Sequence, residues 1–480
     1  MHGQPDQSAP QQQADGRQPW SVLMLLAMAQ FMVILDITVV NVALPSIGTD
    51  LAFAPGDLQW VVTAYVLFTG GLLLLGGRAA DMLGRRAMFL TGLVIFTGAS
   101  LASGLAASPG WLIGARAAQG LGAAMLSPAA LSIVTTTYVG AQRTTALSVW
   151  GAIAAAGGAA GLLFGGMLTT WLSWEWVFFI NVPVGIVTAL LAWLLISPAA
   201  GSGGLRRLDV LGALTLVSGL VLLVYGIEET STHGWGSART LILFAGAATL
   251  LAGFLATERS VRQPLVPPAT WRVRTLASAT AMMLGATGSF IGIIFLGSLY
   301  MQGTLGWSAL ETGLAFLPLT VVIGAAAHVA PRLLTRLGAR TVATGGLLLM
   351  AGAATLLAAA PDEASYLPDL LPGFLIAGVG TGLVFVTIQV TGMSEVQHET
   401  AGLASGLITT AHEIGAAVGV AVLSAVAIGT GADAAATLGS ASGYEDGLAV
   451  AALGMLALAV LAAAAVPALR PASAAQVSMH

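Results

Sequence analysis

Two charged side chains fall where charge is most expensive. Only 8% of the 480 residues are charged, yet Asp36 and Arg116 each lie inside a long apolar run. If the two runs are helices of opposite direction, each charge is about seven residues from the same boundary, a depth of ~10 Å at helical rise. Opposite charges at one depth can pair, and a buried charge needs a partner. A carboxylate that holds arginine when ionised and loses it when protonated can couple a proton to a conformational change. A static structural ion pair is the other reading.

A second acid, Glu413, follows His412 in the middle of another apolar run, ~18 Å from one end at helical rise. A midplane carboxylate facing a bundle interior marks a second proton site or a site for a cationic substrate; a hydrogen bond to His412 is the structural alternative. His412-Glu413 begins a zinc-protease pattern, but Ala416 stands where the second histidine belongs, and His398-Glu399 fails the same way. No metal site is expected. The chain has no cysteine and no lysine, and it lacks a Gly-x-Ser-x-Gly stretch. Thiol chemistry, a P-loop and Schiff-base chemistry are thereby excluded, and the nucleophile elbow finds no support. No catalytic residue and no cofactor is expected, so the chain is read as not an enzyme. Glu228, Glu229 and Glu311 sit near segment ends and read as a solvated rim, and His328 reads as interfacial.

The elements that must position these residues are membrane-spanning helices. The chain is 57% apolar and only 8% charged, against about 25% charged residues in an ordinary soluble domain. Apolar segments of spanning length, ~20 residues each, fall at 20–44, 58–76, 87–106, 111–133, 144–168, 176–196, 208–227, 239–257, 275–300, 310–330, 340–360, 368–391, 402–428 and 447–468. All 17 basic residues are arginine. With the N-terminus in the cytoplasm, fifteen of them, Arg17, Arg206, Arg207, Arg262 and Arg470 included, fall on the inner side, and only Arg239 falls on the outer side. That asymmetry fixes the orientation, both termini cytoplasmic. Residues 1–19 lack the basic start of a signal peptide and read as a disordered tail. The net charge of −4 argues against nucleic acid.

Gly77 to Arg86 form a tight charged turn between two segments, with Gly77, Arg78, Asp81, Gly84, Arg85 and Arg86 as its marked positions. Shifted by 254 residues, Arg78 meets Arg332, and Leu83-Gly84-Arg85-Arg86 meets Leu337-Gly338-Ala339-Arg340. The same shift carries Gly161 to Gly415 and Gly165 to Gly419, but it sets Thr335 against Asp81. Segments 1–6 therefore correspond to segments 9–14 as parallel repeats, as in transporters whose two halves rock about a central site. The expected division is a cytoplasmic tail (1–19), a six-helix bundle (20–200), two inserted helices (201–260), a second six-helix bundle (261–470) and a tail (471–480). Gly157, Gly161 and Gly165 make one stripe, repeated by Gly415 and Gly419, along which a neighbouring helix can approach closely, either as plain packing or as a seal between the two halves.

Several stretches resemble one family. The turn is similar to the loop-2/3 signature of the major facilitator superfamily. Leu35 to Pro45 resembles the first-helix motif of its fourteen-helix drug:proton antiporters, Arg116-Ala117-Ala118-Gln119-Gly120 the fourth-helix motif, and Trp176 to Pro183 the sixth helix. The resemblance implies that Arg116 relays protons and that the turn latches the outward-open state. The family's antiporter motif usually has proline after the middle glycine of the stripe, where this chain has Leu162. The function expected is proton-coupled export of hydrophobic or cationic small molecules from a bacterial plasma membrane, by a monomer driven by the proton-motive force. Asp36, Arg116 and Glu413 are the expected coupling residues, and Asp36, Asn41, Gln119 and Glu413 the expected cavity residues. An uptake carrier or uniporter of the same fold, or a membrane lipid-handling protein, is the alternative.

Overall fold

A computed structural model of the chain describes residues 20–54, 56–197, 209–261, 264–397, 400–429 and 440–465. The two expected tails, five of the arginines expected on the inner side (Arg17, Arg206, Arg207, Arg262 and Arg470) and His398-Glu399 lie outside the described residues. Among those described, 14 helices are long and apolar enough to cross a membrane. They are α1 (Trp20–Asp50), α2 (Trp60–Leu83), α3 (Arg85–Gly104), α4 (Pro109–Thr137), α5 (Gly140–Trp171), α6 (Trp176–Leu195), α7 (Val210–His233), α8 (Ala238–Ser260), α9 (Arg274–Gly303), α10 (Ala309–Leu337), α11 (Ala339–Ala358), α12 (Tyr366–Met393), α13 (Ala401–Ile428) and α14 (Ala441–Ala465).

Local chemistry sets many of the ends. Ser108 caps α4, with Pro109 in its first turn, Asp209 caps α7 and Ser237 caps α8. Ser308 and Glu311 form a reciprocal capping box on α10, each satisfying a backbone N–H the helix leaves open. The turn after α2 is shorter than the charge pattern suggests. Gly77, Arg78 and Asp81 are still helical, and only Gly84 breaks the helix, at φ 102°. Charged residues end an apolar run without ending a helix; the left-handed glycine does. Gly338, 254 residues on, has φ 80° and does the same between α10 and α11.

The helix bounds carry the same offset. α1 begins at Trp20 and α9 at Arg274, and α3 (Arg85–Gly104) maps onto α11 (Ala339–Ala358) residue for residue. Packing repeats too. In the first bundle α3 and α2 lie on α4, α5 lies on α1, and α6 lies on α3 and α1; in the second, α11 and α10 lie on α12, α13 on α9, and α14 on α11 and α9. The two bundles meet through α2 against α13 and α5 against α10, two seams related by the same repeat. α7 and α8 form the inserted hairpin, which docks by α7 against α2 and α13.

At the face away from the helix starts of α1 and α9 the bundles are joined. Ser298 Oγ donates to the Asn41 carbonyl at 2.9 Å and Gln302 Nε2 to the Val42 carbonyl at 2.9 Å. The Leu310 N–H donates to Thr170 Oγ1 at 3.1 Å. Gly313 brings α10 so close to α5 that an added Cβ would lie 2.4 Å from the Leu162 carbonyl.

Candidate functional site

Asp36 is the centre of a buried polar network inside the first bundle. α4 carries Arg116 seven residues past Pro109, ~10 Å into the helix, and Arg116 Nη1 donates to Asp36 Oδ2 at 2.5 Å. α1 itself runs on to Asp50 instead of ending near residue 44, so α4 sets the depth of the pair. Asp36 Oδ1 accepts from Gln119 Nε2 at 2.7 Å and from Asn181 Nδ2 at 2.8 Å. Arg116 spends its other donors on the Val61 carbonyl (Nε, 2.9 Å) and on Gln119 Oε1 (Nη1, 2.7 Å). Ser100 Oγ accepts from Gln119 and Asn181 and donates to the Phe178 carbonyl at 3.0 Å. The guanidinium lies 4.3 Å from the Tyr65 ring centre and 5.6 Å from that of Phe178, where the ring faces favour a cation. Five helices, α1, α2, α3, α4 and α6, therefore meet at one ion pair.

Two of the expected cavity residues lie inside this network. Asp36 and Gln119 are both 0% exposed and bonded to each other, leaving no surface for a substrate in this conformation. Asn41 is also buried; its Nδ2 donates back to the Ile37 carbonyl at 2.9 Å, and its Oδ1 has no partner. The network belongs to one half only. By the 254-residue offset, Asp36, Ser100, Arg116 and Gln119 meet Phe290, Ala354, Leu370 and Gly373.

Glu413 is placed differently. It sits on α13 at the seam with α2, buried to 8% exposure, and a Cβ added to Gly70 would lie 2.5 Å from its own Cβ. Its carboxylate has no hydrogen bond or ion pair among the described residues. The alternative bond to His412 is not formed, because His412 turns to α9, its Nδ1 3.0 Å from Thr287 Oγ1 and its ring edge-on to Phe385.

In the α2–α3 turn, Arg85 Nη2 lies 3.5 Å from Asp81 Oδ1, with Asp81 62% exposed. Arg86 Nη2 donates to the Trp193 carbonyl at 2.6 Å and stacks over the Trp193 ring, which ties the turn to α6 of its own bundle. Gly77 faces Pro128 of α4 at ordinary contact distance; Gly76, where an added Cβ would lie 2.0 Å from the Ala124 carbonyl, makes the close approach. The glycine stripes pack within each bundle. Gly157, Gly161 and Gly165 receive Ile34, Thr38 and Val39 of α1, and Gly415 and Gly419 receive Leu284 and Gly288 of α9.

A family model described as Major Facilitator Superfamily matches residues 26–420. The chain belongs to the Major Facilitator Superfamily. It is 40% identical over 445 residues to a cephamycin export protein of Amycolatopsis lactamdurans, covering 92% of this chain and 91% of that one. It is 40% identical over 475 residues to a puromycin resistance protein of Streptomyces alboniger, covering 95% and 93%. The fold matches a crystal structure of a bacterial homologue of the human lysosomal transporter Spinster, inward-facing and occupied, with a TM-score of 0.64 at 18% identity, covering 94% and 96% of the two chains. As a Major Facilitator Superfamily member the chain is a multi-pass membrane transporter of small molecules.

Several residues around the ion pair carry little signal in the sequence of this superfamily member. Ser100 and Asn181 are uncharged, so composition gives them no prominence, although Asn181 lies within the Trp176–Pro183 stretch. The rim expectation fails for Glu228 and Glu229, which are 9% and 6% exposed. Glu228 accepts from the Trp60 indole, and Glu229 accepts from Arg239 Nε at 3.1 Å and lies 2.7 Å from His233 Nδ1. Docking of α7 on α2 covers Glu228, and Glu229 is held within the α7–α8 hairpin. Glu311 remains at the surface in its capping box, and His328 is exposed.

Proposed function

We propose that the chain exports hydrophobic or cationic small molecules, antibiotics or secondary metabolites among them, in exchange for protons. The observation that carries the coupling is the Asp36–Arg116 pair: a carboxylate with no exposed surface that accepts from α4 and α6 at once. Ionised, Asp36 only accepts. Protonated, it loses its charge and places an O–H donor among three converging donors, which weakens its hold on them. Removing one partner of a buried pair costs ~3–5 kcal/mol, a magnitude comparable to the few kcal/mol that separate alternate conformers. One proton on Asp36 therefore biases how α1, α4 and α6 pack. No bound cofactor is needed; the membrane potential supplies ~2.3 kcal/mol per charge per 100 mV.

The arginine asymmetry supports an inward placement for both termini and for the α2–α3 turn. The bundle contacts at the opposite face then close the outside. Glu413, at the seam between the bundles and unpaired among the described residues, serves as a second site that a proton or a cationic substrate neutralises. Asp81–Arg85 acts as the gate contact of the cytoplasmic turn, in a protein working as a monomer. The relatives' names, cephamycin export and puromycin resistance, support a substrate range of antibiotics.

The test is transport of labelled puromycin and a labelled cephamycin into inside-out membrane vesicles carrying the protein. Export requires accumulation that an imposed acid-inside gradient drives and an uncoupler abolishes. Accumulation only in right-side-out vesicles, or accumulation indifferent to the gradient, would instead establish an uptake carrier or a uniporter.

A further inference from the structure

The second copy of the charged turn takes no part in the hydrogen-bond network around Asp36, and it differs from the first in a way that topology does not require. In the first copy the acid Asp81 meets Arg85, and Arg86 is tied to Trp193. In the second copy Thr335 replaces the acid and spends its hydroxyl on the Arg332 carbonyl at 2.9 Å. Arg332, Arg336 and Arg340 are all exposed, and none has a side-chain hydrogen bond or ion pair with another described residue. They stand at i, i+4 and i+8 across the α10–α11 turn, three positive charges with no counter-charge bonded to them among the described residues.

Beside them lies an apolar groove of about 470 Å³ between α10, α11 and α12, with Leu333, Leu337, Thr341, Gly345, Leu349 and Leu383 in its walls. Leu333 and Leu337 each follow an arginine directly, and Thr341 follows Arg340. The groove starts at the turn and runs along α11 from Thr341 to Leu349, ~12 Å toward the membrane interior at helical rise. Its depth comes partly from Gly345, where an added Cβ would meet nothing within 4 Å. Leu337 and Leu349 are 55% and 38% exposed, so the groove opens to the bilayer.

We infer that this groove is a binding site for an anionic phospholipid of the leaflet on that side, its headgroup phosphate held by Arg332, Arg336 and Arg340 and one acyl chain lying in the groove. Charge complementarity selects the occupant. A zwitterionic lipid satisfies the apolar walls but brings a cationic group beside its phosphate, which three guanidiniums repel, whereas an anionic lipid adds net negative charge; basic pockets between membrane helices hold anionic headgroups by this logic. The first copy offers no such site, because Asp81 already meets its arginine.

The full chain, purified from nanodiscs of equal phosphatidylglycerol and phosphatidylcholine, is weighed with retained lipid by native mass spectrometry. The parent is expected to keep phosphatidylglycerol in preference. The combined variant Arg332→Gln, Arg336→Gln, Arg340→Gln should lose that preference by at least about fivefold, the effect of a single arginine near a membrane surface. Gly345→Leu, which fills the groove and leaves the charges alone, should lose phosphatidylglycerol as well, so a folding defect in the arginine variant does not hide the result. Undiminished phosphatidylglycerol in both variants overturns the site. So does loss in the arginine variant alone with glycerol phosphate competing as well as the lipid, which would mean an anion resting on the arginines.

Discussion

Asp36 and Arg116 show how much a single buried charge demands of its surroundings. The carboxylate takes three donors and the guanidinium serves three acceptors, all at 0–1% exposure. Arg116→Ala removes the counter-charge and should lower the unfolding free energy in detergent by ~3–5 kcal/mol. Asp36→Asn combined with Arg116→Gln, which keeps hydrogen bonds without charge, should recover most of that loss. A thermal melt of the single and double variants checks both, and equal melting for Arg116→Ala and the parent would show that the pair does not hold the bundle. Glu413 has no bonded partner among the described residues, so Glu413→Gln should leave the melting temperature unchanged while reducing resistance to cationic drugs more than to neutral ones. The pair is legible in the amino-acid sequence because charges are rare in this chain and helical rise gives their depth. Its polar surroundings are not, because a serine or asparagine on an apolar helix looks the same whether it faces lipid or a carboxylate.

Among the helices, the glycine stripe is legible as a stripe but not by its neighbour. Periodicity says that one face of α5 is bare; only tertiary packing says that α1 fills it. An added Cβ at Gly161 would lie 1.8 Å from Thr38 Oγ1 and 2.9 Å from the Leu35 carbonyl. Gly161→Ala should therefore sharply reduce folded yield, whereas Gly158→Ala, with nothing within 4 Å, should be close to neutral. Fluorescence-detected size-exclusion of the two variants measures the contrast. The rim glutamates escape a sequence reading for the same reason as the stripe's neighbour. Glu228 does stand near a segment end, but its burial against Trp60 depends on where the inserted hairpin docks. The α2–α3 turn is shorter than its charges suggest because composition marks where lipid ends, and the left-handed glycine marks where the helix ends.

Across the two bundles together, the repeat is the most legible feature. One offset of 254 residues, visible in arginines and glycines, reappears in helix bounds and in packing partners. What the repeat does not carry is chemistry: the buried ion pair belongs to the first bundle and the cluster of three exposed arginines to the second. The seams between bundles have a direct test, because the chain has no cysteine of its own. Thr170→Cys with Leu310→Cys joins α5 to α10 where the Leu310 N–H meets Thr170. Oxidation should cross-link this pair and stop transport, and reduction should restore it; transport undiminished by the cross-link would mean that this seam does not open. Whether a proton on Asp36 drives exchange is decided by adding puromycin to respiring inside-out vesicles and following the internal pH. Substrate should dissipate part of the acid-inside gradient with the parent protein and none of it with Asp36→Asn at equal membrane abundance. Equal dissipation by the two proteins would contradict a coupling role for Asp36.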